Sequence, residues 1–263
     1  MEHPKILVGC PVSKHHSYST NEYLAAIKNL SYPNYDIYLV DNSSTNEFFK
    51  ELQKAVPGER SCTEIPDVKE KIAASRNVLR KKVVEENYDY FLSLEQDVIP
   101  PKDVIEQLLQ HKKAIVSGIY YSPFPVQGKQ QLFPVLFRWL NKEEQENLKK
   151  NKETLQKLNP ALHEELEKSN YDFTKVRVKF KPKEVEKPQL LKVKQCGLGC
   201  VLIKKEVLEK IEFRIDKTTD GFDDATFCDD ALEKGYELYA DTKVKCKHLI
   251  KKRPWTWEKI EKS

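Results

Sequence analysis

Continuous apolar runs, separated by stretches of helical period, outline this chain. KILVGC (5–10) is apolar almost throughout, the pattern of a strand buried on both faces. YDIYLVD (35–41), YDYFLSL (88–94) and AIVSGIYY (114–121) repeat it. Helical patterns fill the gaps between them. Ser19 and Glu22 have the spacing of a capping box ahead of NEYLAAIKNL, and a second helix is expected across 46–55. A long amphipathic helix runs from Pro66 and Asp67 to about Glu86, and Pro101 stands where a first-turn proline opens a helix over 102–111. Strands alternating with helices need crossover connections, so the pattern predicts a three-layer α/β domain whose mixed, mostly parallel sheet is covered on both faces.

The pattern changes after Pro125. From Asn141 to Lys187 the chain is dominated by Lys, Glu, Gln and Asn, helical in period to about Lys168 and then alternating in TKVRVKFK (174–181). Apolar strand character returns with CGLGCVLI (196–203), followed by a helix through Ile211 and another over DDATFCDDALEKG (223–235), with Asp at its start and Gly235 at its end. YELYAD and VKCKHL close the series. This divides the chain into residues 1–125, a polar insertion over 126–194 that could form an acceptor subdomain, and residues 195–263. The final segment, HLIKKRPWTWEKIEK, mixes Lys and Arg with Trp255 and Trp257, a composition suited to packing on the domain or to peripheral contact with an anionic membrane surface.

Composition narrows the classes. With 263 residues and 45 Lys+Arg against 41 Asp+Glu, the net charge of +4 indicates neither a nucleic-acid-binding tail nor an acidic solvating chain. A 39% hydrophobic content excludes disorder and supplies a core. No stretch reaches the roughly 18 apolar residues of a membrane span, and MEHPKILVGC turns to Pro and His too early for a secretory signal, so the expected location is the cytoplasm. Six cysteines without a CxxC pair are expected to be reduced. Cys196, Cys200, Cys246 and His248 contain the ligand types of a zinc site, but Cys-x3-Cys inside an apolar strand reads as close packing.

In a parallel sheet the ligand crevice lies beyond the carboxyl ends of the strands. Those ends carry Pro11, Val12 and Ser13; Asp41, Asn42 and Ser43; Glu95, Gln96 and Asp97; and His248. Each alone reads as a turn or a helix cap; together they describe a site. Glu95 and Asp97, two apart, allow one carboxylate to face a cation while the other bonds beside it, an arrangement that suits a diphosphate. Neither G-x-x-x-x-G-K-[ST] nor G-x-G-x-x-G occurs, which sets aside P-loop and Rossmann dinucleotide chemistry. Gly197 and Gly199 suggest a close backbone approach, to an acceptor sugar or to a neighbouring strand.

The order KILVGCPVSK, YLVDNSST, IAASRN, FLSLEQDV, GLGCVLIKKEVLEKI, FDDATFCDDALEKGYELYAD and KHL resembles the GT-A fold glycosyltransferases of the family 2 type, over about 5–124 and 195–250. The resemblance implies that Asp41 reads the nucleobase or ribose, that Arg76 and Asn77 approach the nucleotide, and that Glu95 and Asp97 stand as the D-x-D-type motif. Pro11, Ser13 and Gln96 complete the nucleotide-binding set. Asp97 and His248 are the implied metal ligands, for Mn or Mg. Asp223 and Asp224 are the implied catalytic acids, with Asp224 as the base and Asp223 capping the helix or holding the acceptor. Asn42 and Glu95 each stand where the family usually has Asp. The implied activity is transfer of a hexose from a nucleoside diphosphate sugar, UDP first and GDP second, with inversion at the anomeric carbon. The acceptor is a saccharide, glycolipid, protein or modified base. Two other readings compete: a nucleotidyltransferase, which needs a Gly/Arg/Lys-rich loop where PVSKHHS stands, and a non-catalytic binding or scaffold protein using the charged 141–187 segment.

Overall fold

The first apolar run forms β1 (Ile6–Val12) in the computed structural model, which describes residues 3–126, 128–150, 176–219, 221–250 and 253–254. After it come α1 (Thr20–Lys28), β2 (Tyr35–Asp41), α2 (Glu47–Leu52), β3 (Gly58–Arg60), α3 (Val68–Glu85), β4 (Tyr90–Leu94), β5 (Val98–Ile99), α4 (Val104–Leu109) and β6 (Ile115–Ile119). A hairpin of β7 (Tyr121–Val126) and β8 (Lys129–Pro134) leads to β9 (Leu136–Trp139) and α5 (Lys142–Lys150). Then follow β10 (Arg177–Lys179), β11 (Leu190–Val193), β12 (Gln195–Cys196), β13 (Cys200–Lys204), α6 (Lys205–Leu208), α7 (Asp223–Glu233), β14 (Leu238–Lys245), β15 (Lys247–Ile250) and β16 (Arg253–Pro254).

Eight strands form one sheet in the order β11-β14-β6-β13-β4-β1-β2-β3. β13 runs antiparallel to both β4 and β6, and β11 is antiparallel to β14; the other pairings are parallel. Helices flank the sheet on both faces, giving the three-layer α/β arrangement expected from the alternating pattern. The apolar strands alternate between two cores. Leu7, Val40, Leu79, Phe91 and Phe227 pack in one and Ile6, Val8, Tyr23, Leu92 and Ile105 in the other. This two-sided burial is why β1 reads as an unbroken apolar run.

Register then places the polar strand ends together. β1 pairs with β2 from Ile6↔Tyr35 to Val12↔Asp41, and with β4 from Ile6↔Tyr90 to Gly9↔Ser93, so Ser13, Asn42 and Glu95 emerge at one edge. Asp67 caps α3 through its side chain, accepting from Glu70 N at 2.8 Å.

Several local expectations change. Ser19 makes no capping bond; its hydroxyl donates back to the His16 carbonyl at 2.7 Å, because a 3-10 turn over Lys14–Ser19 leads straight into α1. The run 114–121 breaks at Tyr120, with β6 staying in the main sheet and β7 leaving it for the hairpin. CGLGCVLI also splits, into β12 of a small three-stranded sheet and β13 of the main one. The cause lies in its glycines: a Cβ on Gly197 would sit 2.1 Å from the Tyr120 hydroxyl and one on Gly199 2.7 Å from that ring, so both residues make room for Tyr120. β3 and β5 are short additions, and α2 and α4 are shorter than 46–55 and 102–111. Within 174–181 the strand covers Arg177–Lys179; the helical pattern before it falls largely outside the described residues, as do Trp255 and Trp257. All six cysteines are free thiols. Among the described residues no helix is long and apolar enough to cross a membrane.

Candidate active site

The strand ends open into a cleft of about 720 Å³. Its floor is set by the loop after β1, which is tied down from two sides. Ser13 N donates to Gln96 Oε1 at 2.9 Å, and the Gln96 amide in turn donates to Thr20 Oγ1 at 2.8 Å and to the His16 carbonyl at 3.2 Å. Lys14 N donates to Ser43 Oγ at 2.8 Å. Gln96 therefore lines the cleft as a latch between loops, its amide engaged by the protein.

Beyond β2, Asp41 is 1% exposed and accepts at Oδ1 from Ser43 N (3.1 Å) and Ser43 Oγ (2.6 Å). Its Oδ2 is buried without a partner, as is Arg60 Nε; the Arg60 Nη2 group donates to the Ser43 and Ser44 carbonyls. Burial pushes the Asp41 carboxyl above its ordinary range, against the Ser43 bonds and the Arg60 charge. Asp41 lies behind Ser43, whereas Asn42, Ser43 and Ser44 form the cleft wall. Asn42 is held by its own amide, which donates to Ser75 Oγ at 3.1 Å.

On the opposite wall one guanidinium serves two acids. Arg76, 2% exposed in the middle of α3, donates from Nη1 to both oxygens of Asp223 (2.7 and 2.6 Å) and from Nη2 to Glu95. Asp223 is 1% exposed, while 34% of the Glu95 side chain is open to the cleft. Asp224, next along α7, is half-buried, and Ala225 N donates to its Oδ1 at 2.7 Å. Burial first, then the charges of Asp223 and Glu95, push the Asp224 carboxyl up to about 6, with Arg76 opposing. Such a carboxylate is a ready proton acceptor near neutral pH.

Asp97 sits between two imidazoles, its Oδ2 lying 3.4 Å from His248 Nε2 and 3.4 Å from His16 Nδ1. Burial alone would raise the Asp97 carboxyl, but the two histidines outweigh it and hold Asp97 well below the usual carboxylate range. Burial lowers and Asp97 more than restores His248, which ends above its ordinary value. The His248 ring meets Tyr120 edge-on, 5.2 Å between centroids, and its Nδ1 lies 2.8 Å from the Tyr121 carbonyl. A carbonyl only accepts, so Nδ1 carries a proton and Nε2 faces Asp97, donating to it as imidazolium and turning a lone pair to it when neutral. Two facing lone pairs require a proton or a cation between them, and a backbone carbonyl orienting the far imidazole nitrogen is the usual support of a metal-binding histidine. The pair thus fits a divalent ion. Among the described residues no group of three or more His, Cys, Asp or Glu side chains is arranged to hold one.

Pro11, Ser13, Arg76, Glu95, Gln96, Asp97, Asp223, Asp224 and His248 all line this cleft. Asn77 does not. Its amide donates to the Phe213 carbonyl at 2.7 Å and accepts from Phe213 N at 2.9 Å, so it fastens α3 to the chain before α7 instead of approaching a nucleotide. Asp223 is no helix cap: the N-cap position belongs to Phe222, and the Asp223 carboxylate is committed to Arg76. The sequence reading passed over His16, Arg60 and Tyr120. His16 was visible in PVSKHHS at the end of β1, but its contact with Asp97 depends on the turn that brings it back over β4.

The sequence model of the family described as "Glycosyl transferase family 2" matches residues 19–211, well over half of the chain. No curated protein matches significantly. Among solved structures, the chain is similar to one described as "Crystal Structure of A197 from STIV", with 16% identity over 94% of this chain and 86% of that one, and a TM-score of 0.46. That likeness is too loose to carry an argument.

Proposed function

This chain belongs to glycosyl transferase family 2, and from that premise we propose that it moves a hexose from a nucleoside diphosphate sugar to an acceptor hydroxyl by a single displacement that inverts the anomeric carbon. The observation that carries this reading is the pairing, in one cleft, of a half-buried carboxyl poised at about 6 with an Asp97–His248 pair able to take a divalent ion.

In this reading the acceptor hydroxyl attacks the anomeric carbon and passes its proton to Asp224, while the bond to the nucleoside diphosphate breaks on the opposite face. Asp224 is mostly ionised at neutral pH and retains enough proton affinity to take that proton. Asp97 and His248 would hold the metal, Mn or Mg, whose chemistry is to neutralise charge on the departing diphosphate. Imidazole among the ligands favours Mn. The proposed carrier is UDP first and GDP second; Asp41 and Arg60 lie behind Ser43, outside the cleft lining, and are not assigned to its base. The acceptor class stays open among saccharide, glycolipid, protein and modified base, because acceptor contacts come from loops that the fold does not dictate.

The test is incubation with a panel of UDP and GDP sugars and Mn, following release of the nucleoside diphosphate and the anomeric configuration of the sugar by NMR. Release of UDP or GDP with inverted product is expected. A nucleoside monophosphate or pyrophosphate product would favour the nucleotidyltransferase reading, and no turnover or binding of any sugar nucleotide would favour a scaffold.

A further inference from the structure

Helix α7 opens with two adjacent acids, and successive helical residues point about 100° apart, so Asp223 and Asp224 cannot both face the same reacting atom. What fixes the choice comes from elsewhere in the chain. Both oxygens of Asp223 lie on Nη1 of Arg76, and Glu95, from the end of β4, lies on Nη2 of the same guanidinium. Arg76 and Asp223 border the cleft but are only 2% and 1% exposed, and Glu95 keeps 34% of its side chain open to it, so what distinguishes these two acids is that both are tied to the guanidinium. Asp224 receives one backbone N–H, from Ala225, and lines the cleft.

We propose that Arg76 is the positioning residue that assigns the roles of the two acids, holding Asp223 and Glu95 on one guanidinium so that Asp224 is the cleft acid left uncommitted to receive the acceptor's proton. This rests on the reading of Asp224 as the base. A planar fork with separate nitrogens can hold two carboxylates at fixed directions, which a lysine ammonium, a single point charge on a flexible stem, cannot. The groups that bear on Asp224 are Asp223 on its own helix, Glu95 from β4, Arg76 from α3, and the neutral Tyr120 and Cys228 side chains. Of these only Arg76 is a cation. Without it, Asp223 and Glu95 would crowd Asp224 with uncompensated charge, and Asp223 would be free to turn toward the cleft.

The experiment is a pH titration of the side-chain carboxyls by NMR on protein labelled at aspartate, comparing the parent with Arg76→Gln and Arg76→Lys, which needs no substrate. In the parent Asp224, pushed up to about 6 by burial and its acidic neighbours, is expected to titrate there. Arg76 is the charge that lowers Asp224, and loss of a neighbouring cation shifts a carboxyl by about 1 unit or more, so Asp224 should titrate about 1 unit higher in Arg76→Gln and between the two in Arg76→Lys. At a pH about 1 unit below the new midpoint, transfer should fall about tenfold relative to its high-pH plateau. A protein merely loosened by the substitution would lose rate equally at every pH. Should Arg76→Gln fail to fold, Arg76→Lys, which keeps the charge, carries the test. An Asp224 midpoint within about 0.3 unit of the parent in the folded variants would overturn the proposal. So would loss of UDP or GDP binding in Arg76→Lys with the midpoint unmoved, which would make Arg76 a donor contact. A parent that titrates as stated but transfers no sugar would instead remove the glycosyltransfer reading and leave the ordering of the acids standing.

Discussion

Replacing Asp223 and Asp224 in turn by Asn should move the melting temperature in opposite directions, although the residues are neighbours. Asp223 is 1% exposed and neutralises an arginine that is 2% exposed. Breaking a buried ion pair from one side costs about 3–5 kcal/mol, and the lower end applies because Glu95 still faces Arg76. About 3 kcal/mol in a chain of this size corresponds to a fall of roughly 6–12 °C. Asp224 is the reverse case. Its folded-state carboxyl is raised from 3.8 to about 6, so ionising it works against the fold. That penalty begins as pH rises above the unfolded value, is complete above the folded one, and is absent at lower pH. Two units would be about 3 kcal/mol for a fully shielded group, and partial exposure reduces this to about 1–2 kcal/mol. Asp224→Asn should therefore melt a few degrees above the parent at pH 7 to 8, and the gain should vanish near pH 4. Loss of a positioned base should lower transfer by about 100- to 10,000-fold with donor binding retained. Calorimetric melts at pH 4 and pH 8 check the stabilities. An Asp223 variant as stable as the parent, together with an Asp224 variant that melts lower at pH 8, would refute the charge arrangement.

Two further substitutions separate support from site. Asn77→Ala removes both bonds to the Phe213 backbone and should lower stability by about 1–3 kcal/mol without changing nucleotide affinity; chemical denaturation and calorimetric titration read the two effects. Gly197→Ala places a methyl 2.1 Å from the Tyr120 hydroxyl and should cost about 1–3 kcal/mol through overpacking, whereas the same change combined with Tyr120→Phe should be milder in denaturant melts.

How much of this was legible beforehand depends on the range of the interaction. β1, β2, β4 and α3 could be read directly, since two-sided burial writes an unbroken apolar run and Asp67 announces its cap locally. The convergence of Ser13 and Glu95 also followed, because the parallel register of β1 and β4 brings their ends to one edge, whereas His248 reaches Asp97 through the antiparallel pairing of β15 with β5. What stayed hidden was decided by partners distant in sequence. The runs at 114–121 and 196–203 look continuous, yet both break where Tyr120 packs onto Gly197 and Gly199. Arg76 and Asn77 are adjacent in sequence but diverge around α3, one toward Asp223 and the other toward Phe213. Ser19 and Glu22 have capping-box spacing, but the preceding 3-10 turn supplies the Ser19 hydroxyl with another acceptor. Nothing local in PVSKHHS tells that His16 returns to Asp97.

The central claim is that this cleft takes a nucleoside diphosphate sugar beside an ion held by Asp97 and His248. Its most direct test is calorimetric titration of UDP and GDP sugars into the parent with and without Mn, repeated with Asp97→Ala and His248→Ala after melts confirm that both are folded. The account predicts Mn-dependent binding of one of the two nucleotides, abolished in Asp97→Ala and weakened about 10- to 100-fold in His248→Ala. Binding with undiminished Mn dependence in Asp97→Ala, or no binding of either nucleotide by the parent with Mn present, would contradict it.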